Sequence, residues 1–440
     1  MAYTVKKLGE CKIKSPLLEK FQLNDMNFVR DNRRMFYNVM LENGDASSVD
    51  MDRTFELAGP RELIYFNPEE TRSAIVTCGG LCPGLNDVIR SLVMESWYRY
   101  GAKNILGVRY GYSGLHPDTK FPPIELNPNV VQSIHMDGGS ILGSSRGGTD
   151  EMEILVDTLE KLKINILYTI GGDGTQKGAH RIAQIAEERK LDLAVIGIPK
   201  TIDNDISYIQ RSFGFETAFS RAVEAIRAAH VEAKGAPNGI GLVKLMGRNS
   251  GFIAANATMA MIDVNYVFIP EIPFELDGEN GLLKHLANRL IERQHAVICL
   301  AEGAGQDLIE KDIASQEKDA SGNVKLKDIG IFMKEKIESH FKSKNIEVNL
   351  KYIDPSYMIR SAPAVPNDAI FCAQLGQYAV HAGMTGKTDL VIGQWNNNYT
   401  HVPIDLAISK KKYINPNSRF WFSVLDATGQ PERMVNEKQV

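Results

Sequence analysis

The sequence predicts an α/β protein of two lobes, each a mainly parallel sheet covered by helices. Three observations carry that expectation: short, largely apolar runs of strand length, a loop rich in glycine or carboxylates directly after each run, and amphipathic helical segments after several of those loops. Strands that are apolar on both sides belong to sheets buried on both faces, and alternation with helices makes such sheets parallel. Ligands of these sheets bind at the carboxyl ends of the strands, which is where the polar clusters of this chain fall.

Taken in order, Ser73–Thr77 runs into Gly79-Gly80-Leu81-Cys82-Pro83-Gly84-Leu85-Asn86, and Asn86–Tyr98 follows as a helix with Val88, Leu92 and Met94 near one face. Ile164–Ile170 runs into Gly171–Thr175 and a helix over Gln176–Arg189. Leu193–Ile198 leads to Pro199–Asp205, and Ile240–Leu245 leads to Met246–Ser250 with a helix from Gly251. Val297–Ala301 leads to Glu302–Gly305. Residues 1–70 read as an N-terminal extension, polar and weakly patterned over Asn24–Asn38 and Glu42–Arg53. Gln306–Lys327, rich in Asp, Lys, Gln and Ser, reads as a solvent-exposed insertion ahead of a helix beginning near Gly330.

Composition narrows the function classes. A chain of 440 residues exceeds one minimal core. Its 43% hydrophobic and 24% charged residues are those of a globular protein, and a net charge of −4 provides no field for nucleic acid or an anionic membrane surface. The longest apolar runs, such as Ala296–Ala301, are strand-sized, so no membrane span is expected. Met1–Lys20 lacks the continuous apolar centre of a signal peptide, and Lys438–Val440 is not a peroxisomal address. Cys78 and Cys82 form the one close cysteine pair, with neither a second pair nor a histidine pair to complete a zinc site. The expectation is therefore a cytoplasmic protein with free thiols.

The loops carry the chemistry. Glycines between a strand and a helix, as at Gly79–Gly84, let backbone amides approach a phosphate, although such turns also serve packing. In Gly171-Gly172-Asp173-Gly174-Thr175 a carboxylate stands where it can hold Mg²⁺ beside phosphate oxygens, and Thr175 offers a hydroxyl; a tight turn capped by Asp is the alternative. In Pro199-Lys200-Thr201-Ile202-Asp203-Asn204-Asp205, alternate positions Thr201, Asp203 and Asp205 would project the same way in an extended segment. One carboxylate can then take a proton from an attacking alcohol while the other holds that base or assists the metal; a solvated acidic turn is the alternative. Met246-Gly247-Arg248-Asn249-Ser250-Gly251 pairs close backbone approach with an arginine suited to a phosphoryl group. Arg146, within Gly139–Gly148, can neutralise charge on such a group.

In this order GGLCPGLN, GGDGT, PKTIDND, FGFETA and KLMGRNSGFIA, with YIDPSYMIR further on, resemble the phosphofructokinase family over about Ser73 to Lys410. GGDGT alone also occurs in NAD kinases and diacylglycerol kinases; followed about thirty residues later by TIDND it is far more specific. The spelling of PKTIDND and YIDPSYMIR looks most like the ATP-dependent enzymes of plants, kinetoplastids and some bacteria. The resemblance implies two Rossmann-like lobes: a nucleotide-binding lobe over 71–214 with 359–410, and a sugar-phosphate lobe over 215–358 with 411–440. It implies phosphoryl transfer from Mg²⁺-ATP to the 1-hydroxyl of fructose 6-phosphate in glycolysis, by a homodimer or homotetramer with shared sites and an allosteric effector. Asp203 is then the base, supported by Thr201 and Asp205, and Asp173 carries the metal. Gly79, Tyr112, Arg146, Gly147, Gly172, Gly174, Thr175, Gly178 and Lys200 serve the nucleotide. Thr201, Ile202, Asp203, Met246, Gly247, Arg248 and Glu302 serve the sugar, as do Tyr357, Met358, Ile359 and Arg360. Arg248 also stabilises the transferred phosphoryl, and Arg360 with Lys351 holds the 6-phosphate.

Departures from the typical bacterial pattern fall in that last pocket. Gly239 and Lys351 replace arginines and Tyr357 replaces a histidine, and Lys lacks the bidentate fork of Arg. The donor is marked in two ways that disagree, because pyrophosphate-dependent relatives usually carry Asp where this chain has Gly174 and Lys where it has Lys200. An Asp at 174 would occupy the α-phosphate position and repel it by on the order of several kcal/mol at an effective dielectric of about 20. Gly174 therefore points to ATP and joins the catalytic set. The alternatives are a pyrophosphate-dependent phosphotransferase, then an NAD or lipid kinase. A non-catalytic subunit would be expected to lose Asp173, Asp203 or Arg248, and none is lost.

Overall fold

The computed structural model describes residues 3–21, 28–41, 43–45, 49–148, 151–309 and 325–436. Most of the insertion expected at Gln306–Lys327 and the last residues of the chain lie outside them. The chain divides into two compact units. The first comprises 1–201, 206–214 and 361–411; the second comprises 202–205, 215–360 and 412–440. No helix among the described residues is long and apolar enough to cross a membrane.

The first unit is built on a nine-stranded sheet. Its centre is the parallel set Leu390–Trp395, Ala194–Pro199, Ile166–Gly171, Arg72–Thr77 and Asn104–Val108, in that order. Ile166–Gly171 and Ala194–Pro199 are buried at every position, as expected of strands covered on both faces. Helices Leu85–Met94, Asp173–Glu188 and Pro366–Met384 accompany them. The glycine-loop helix begins at Asp173, ahead of the expected Gln176, because Gly172 already serves as its N-cap. The helix over Leu85–Met94 continues as a π-helical turn, Glu95–Tyr100.

Residues ahead of Arg72 belong to this unit. Thr54–Leu57 adds to the sheet against Asn398–Pro403, and Arg34–Phe36 adds outside it. Lys6–Lys7 pairs with Lys387–Thr388. Beneath them Glu56 receives Lys387 at 2.6 Å, Arg61 at 2.8 Å and His401 at 3.2 Å.

The second unit has a four-stranded parallel sheet in the order Tyr266–Phe268, His295–Ala301, Gly239–Leu245, Asn349–Ile353. Its core gathers Leu242, Phe268, Leu286, Ile298, Met333 and Phe341 around that sheet. Helices Phe215–Lys234, Phe252–Ala260 and Ile329–Ser343 belong to it.

Candidate active site

In the first unit three neighbouring parallel strands end side by side, so their loops emerge along one edge. The loops are then tied together. Cys78 N donates to Ile170 O at 3.0 Å, Lys200 N to Gly171 O at 3.0 Å, and Lys200 Nζ to Gly80 O at 2.7 Å. The Gly139–Gly148 segment docks on the first loop: Gly79 N donates to Ser145 O at 2.8 Å, Ser144 Oγ to Gly79 O at 2.7 Å, and Thr77 Oγ1 to Gly143 O at 2.6 Å. These bonds bring Gly79, Arg146, Gly147, Gly172–Thr175 and Lys200 to one edge of the sheet. Gly79 has φ +87°, a backbone state that glycine adopts without strain, and a Cβ there would stand 3.5 Å from the Lys200 ammonium.

Asp173 opens its helix with a partly exposed carboxylate, 2.9 Å from Lys177 Nζ. A Cβ on its neighbour Gly174 would meet nothing within 4 Å. Packing therefore does not require glycine at 174, and the space beside Asp173 is open. No group of three or more His, Cys, Asp or Glu suited to a metal occurs among the described residues. A single hard carboxylate beside open space fits Mg²⁺, which takes most of its ligands from phosphate and water.

Two residues expected at the nucleotide lie deeper. Tyr112 is buried, and its hydroxyl donates to Thr175 O at 2.8 Å. A Cβ at Gly178 would come within 2.7 Å of the Tyr112 ring and 2.9 Å of Met152. Gly178 thus lets the helix close on Tyr112, and Tyr112 in turn fixes the first turn after the glycine loop. Cys78 lies in the same core, its thiol pushed up to about 12 by burial and therefore inert at neutral pH.

In the second unit, Ser250 Oγ donates to Asp203 O at 2.9 Å and Lys412 N donates to Asp205 O at 2.9 Å. The TIDND segment is not extended: Ile202 and Asp203 form a turn and Asn204 has φ +52°. This corrects the alternation expected for Thr201, Asp203 and Asp205. The carbonyls of Asp203 and Asp205 are each claimed by a different partner, and the turn follows from that. The half-buried Lys412 side chain sets its ammonium 5.3 Å from the Phe252 ring centroid; desolvation lowers its pKa to about 7, against the pull of Asp205. Thr201 lies in the first unit, where its carbonyl accepts from Ser212 Oγ at 2.6 Å.

Gly247 has φ +133°, and a Cβ there would sit 2.6 Å from Ser250 O. Glu302 N donates to Leu245 O at 2.8 Å and Gly303 N to Gly247 O at 3.1 Å, while a Cβ at Gly303 would strike Arg248 O at 1.9 Å. The loops bearing Met246, Arg248 and Glu302 therefore interlock. Burial pushes the Glu302 carboxyl up, with Lys244, Arg248 and Arg360 pulling the other way, so these charges share one neighbourhood. Arg360 lies over the Tyr357 ring at 5.0 Å. Tyr357 and Met358 are 80% and 77% exposed, whereas Ile202 and Ile359 are buried core residues. Lys351, exposed, lies opposite Gly241 in the sheet.

Some positioning residues escaped the motif reading. Gln176 ties two strand ends together, and Glu271 accepts from Gly251 N with both oxygens at 3.0 Å and from Ile414 N at 2.9 Å, holding the start of the helix after the arginine loop. Gln176 directly follows GGDGT, and a polar residue on a buried helical face was the available signal. Glu271 carries no local signal.

Glycine loops with interspersed carboxylates and arginines, at the ends of parallel strands, define an α/β enzyme of phosphoryl transfer. Residues 72–383 match the model of the family described as Phosphofructokinase, and the chain belongs to that family. It is 51% identical over 99% of its length to the "ATP-dependent 6-phosphofructokinase" of Borreliella burgdorferi, covering 98% of that protein. It is 48% identical over 88% of its length to the protein of the same name from Trypanosoma brucei brucei, covering 79% of it. Among solved structures, a pyrophosphate-dependent phosphofructokinase from Marinobacter aquaeolei superposes with a TM-score of 0.66 at 17% identity, over 84% of this chain and 94% of that one, a likeness of fold.

Proposed function

We propose that this enzyme is an ATP-dependent 6-phosphofructokinase whose acceptor base is Asp203. It moves the terminal phosphoryl of ATP to the 1-hydroxyl of fructose 6-phosphate, a step of glycolysis. The observation that carries the reading is the hydrogen bond from Ser250 to the Asp203 carbonyl at 2.9 Å, because it ties the backbone that bears the carboxylate to the loop that bears Arg248. Base and phosphoryl-stabilising cation then keep a fixed relation through the reaction. Phosphoryl transfer asks little covalent chemistry of a protein and much positioning and charge.

The donor residues belong to the first unit. Backbone amides of the loops at Gly79 and Gly172–Thr175, with Arg146, Gly147 and Lys200, bind phosphate oxygens. Asp173 would hold Mg²⁺, which when bound neutralises charge on those phosphates. Tyr112 and Gly178 act from behind, by setting the turn that presents Thr175. Gly174 leaves open the space that an α-phosphate needs, which supports ATP over pyrophosphate, with Lys200 serving either donor. The acceptor residues belong to the second unit, apart from Thr201. Asp203 takes the 1-hydroxyl proton, with Asp205 and Thr201 supporting it. Met246, Gly247 and Glu302 orient the sugar, and Arg360 with Lys351 pairs with its 6-phosphate.

All five cysteines are free thiols, which suits a cytoplasmic enzyme. Assembly as a homodimer or homotetramer is part of this reading and is measured by light scattering in solution. The deciding assay follows fructose 1,6-bisphosphate formation from fructose 6-phosphate and Mg²⁺, with ATP and pyrophosphate in parallel. Product with ATP alone is expected. Product with pyrophosphate alone would make Lys200 the better marker, and no product with either would return the chain to the NAD and lipid kinases.

A further inference from the structure

Lys244 stands in the apolar strand Gly239–Leu245, at an inner position of the four-stranded sheet, with its side chain 11% exposed. A buried ammonium is costly unless carboxylates pair with it. Here two do. Its Nζ lies 2.7 Å from Asp328 Oδ2 and 2.9 Å from Asp354 Oδ2.

Each carboxylate uses its other oxygen to start a helix. Asp328 Oδ1 accepts from Gly330 N at 3.0 Å and Ile331 N at 3.1 Å, capping Ile329–Ser343, and also from Tyr352 OH at 3.1 Å. Asp354 Oδ1 accepts from the amide and hydroxyl of Ser356, the first residue of the short helix Ser356–Arg360. That helix ends at Arg360. The strand of Lys244 runs directly into Met246, Gly247 and Arg248, and its ammonium acts on the half-buried Glu302 together with Arg248 and Arg360.

We propose that Lys244 is a positioning residue for sugar-phosphate recognition: through Asp354 it fixes the start of the Ser356–Arg360 helix relative to the Arg248 strand, and so sets where Arg360 presents its guanidinium. The inference rests on the assignment of Arg360 to the 6-phosphate. Lys244 touches no substrate itself. Without the ammonium, Asp328 and Asp354 would repel each other, and the start of the short helix would shift. An arginine presented out of place binds a phosphate poorly.

The test is steady-state kinetics of the full chain with both substrates varied. Lys244→Met should raise the KM for fructose 6-phosphate by about tenfold or more while that for ATP moves less than about twofold, and Lys244→Arg should restore much of the loss. Asp354→Asn, which keeps an oxygen for Ser356, should reproduce the split even if Lys244→Met fails to fold. Asp328→Asn should lower thermal stability without it. In an Arg360→Ala background, Lys244→Met should cost no further affinity for the sugar phosphate. An equal rise in both KM values, an unaltered KM in Asp354→Asn, or fully additive losses in the double variant would overturn the role of Lys244 alone. An Arg360→Ala variant with normal KM for fructose 6-phosphate would overturn the 6-phosphate assignment and this inference with it.

Discussion

The side-chain amide of Gln176 donates to the main-chain carbonyl of Gly171 at 3.1 Å, and the same nitrogen reaches Ile198 O at 3.4 Å. Those carbonyls end two neighbouring strands, under the loops that carry Asp173 and Lys200. The other amide atom, Oε1, is buried with no hydrogen-bond partner among the described residues, and a Cβ at Gly197 would come within 2.2 Å of it. The two contacts of the amide nitrogen hold the loops at a set distance.

Removing that tie should loosen the nucleotide loops more than the fold. Gln176→Leu loses two weak donors, a cost of about 1–2 kcal/mol in stability, and should raise the KM for ATP severalfold. Gln176→Glu sets a carboxylate against two carbonyls and should be worse than Leu in both respects. Thermal melts and ATP titrations of the pair check the order; a Glu variant equal to wild type would show that the amide holds nothing.

Gly174 gives a cleaner test of donor choice. Since a Cβ there meets nothing within 4 Å, Gly174→Asp should fold normally, and a carboxylate in the first turn of a helix is mildly stabilising. The new charge stands in the open space beside Asp173. We expect an unchanged or slightly raised melting temperature and a KM for ATP raised by about tenfold or more, from like-charge repulsion of the α-phosphate. Unchanged ATP kinetics would remove the physical reason for reading Gly174 as the ATP marker.

Asp203 should separate binding from chemistry. Ser250 holds its carbonyl, not its carboxylate, so Asp203→Ala keeps the backbone tie. Turnover should fall by about 10²–10⁴, the range for loss of a general base, while calorimetric binding of fructose 6-phosphate stays within a few-fold. Near-normal turnover would sink the assignment.

The parts of this molecule that were legible in sequence share a cause. Strands such as Ile166–Gly171 are buried at every position, so they appear as continuous apolar runs, and their glycine loops punctuate them. The loops that gather at one edge of the first sheet were thus visible as motifs before any fold. What was not visible depends on contacts distant in sequence. Arg34–Phe36 and Thr54–Leu57 are short and add at the outside of the sheet, so their patterning is weak and residues 1–70 read as an appendage. Lys244 passed unremarked within the apolar run Ile240–Leu245, and Asp328, 84 positions away in the chain, could not be paired with it. Tyr112 and Gly178 sit at the expected places in their motifs, and only packing reveals that each faces the other. The extended reading of TIDND failed because its carbonyl partners, Ser250 and Lys412, come from remote segments.

The buried ion cluster around Glu56 makes the Thr54–Leu57 strand and Arg61 integral to the first unit, and this is testable by mutation and by acid. Burial pushes the Glu56 carboxyl up, but His401 and Lys387 outweigh it and hold it down to about 2. Burial also lowers His401 to about 4, so at neutral pH it donates to Glu56 as an uncharged imidazole. The Lys387 side chain is 1% exposed. Truncating it with Lys387→Met leaves buried carboxylate charge short of a partner and should cost about 3–5 kcal/mol. Glu56→Gln combined with Lys387→Met should cost less than the sum of the two, because neither charge is then stranded. The pH sign follows from the depressed carboxyl. Between the ordinary value of 4.5 and about 2, the unfolded chain binds a proton that the folded chain does not. The stabilisation is therefore complete above 4.5 and is lost as the pH falls toward 2. Denaturant unfolding of wild type and Glu56→Gln across that window should give a difference that shrinks with acid; a constant difference would mean that Glu56 is not held ionised by its neighbours.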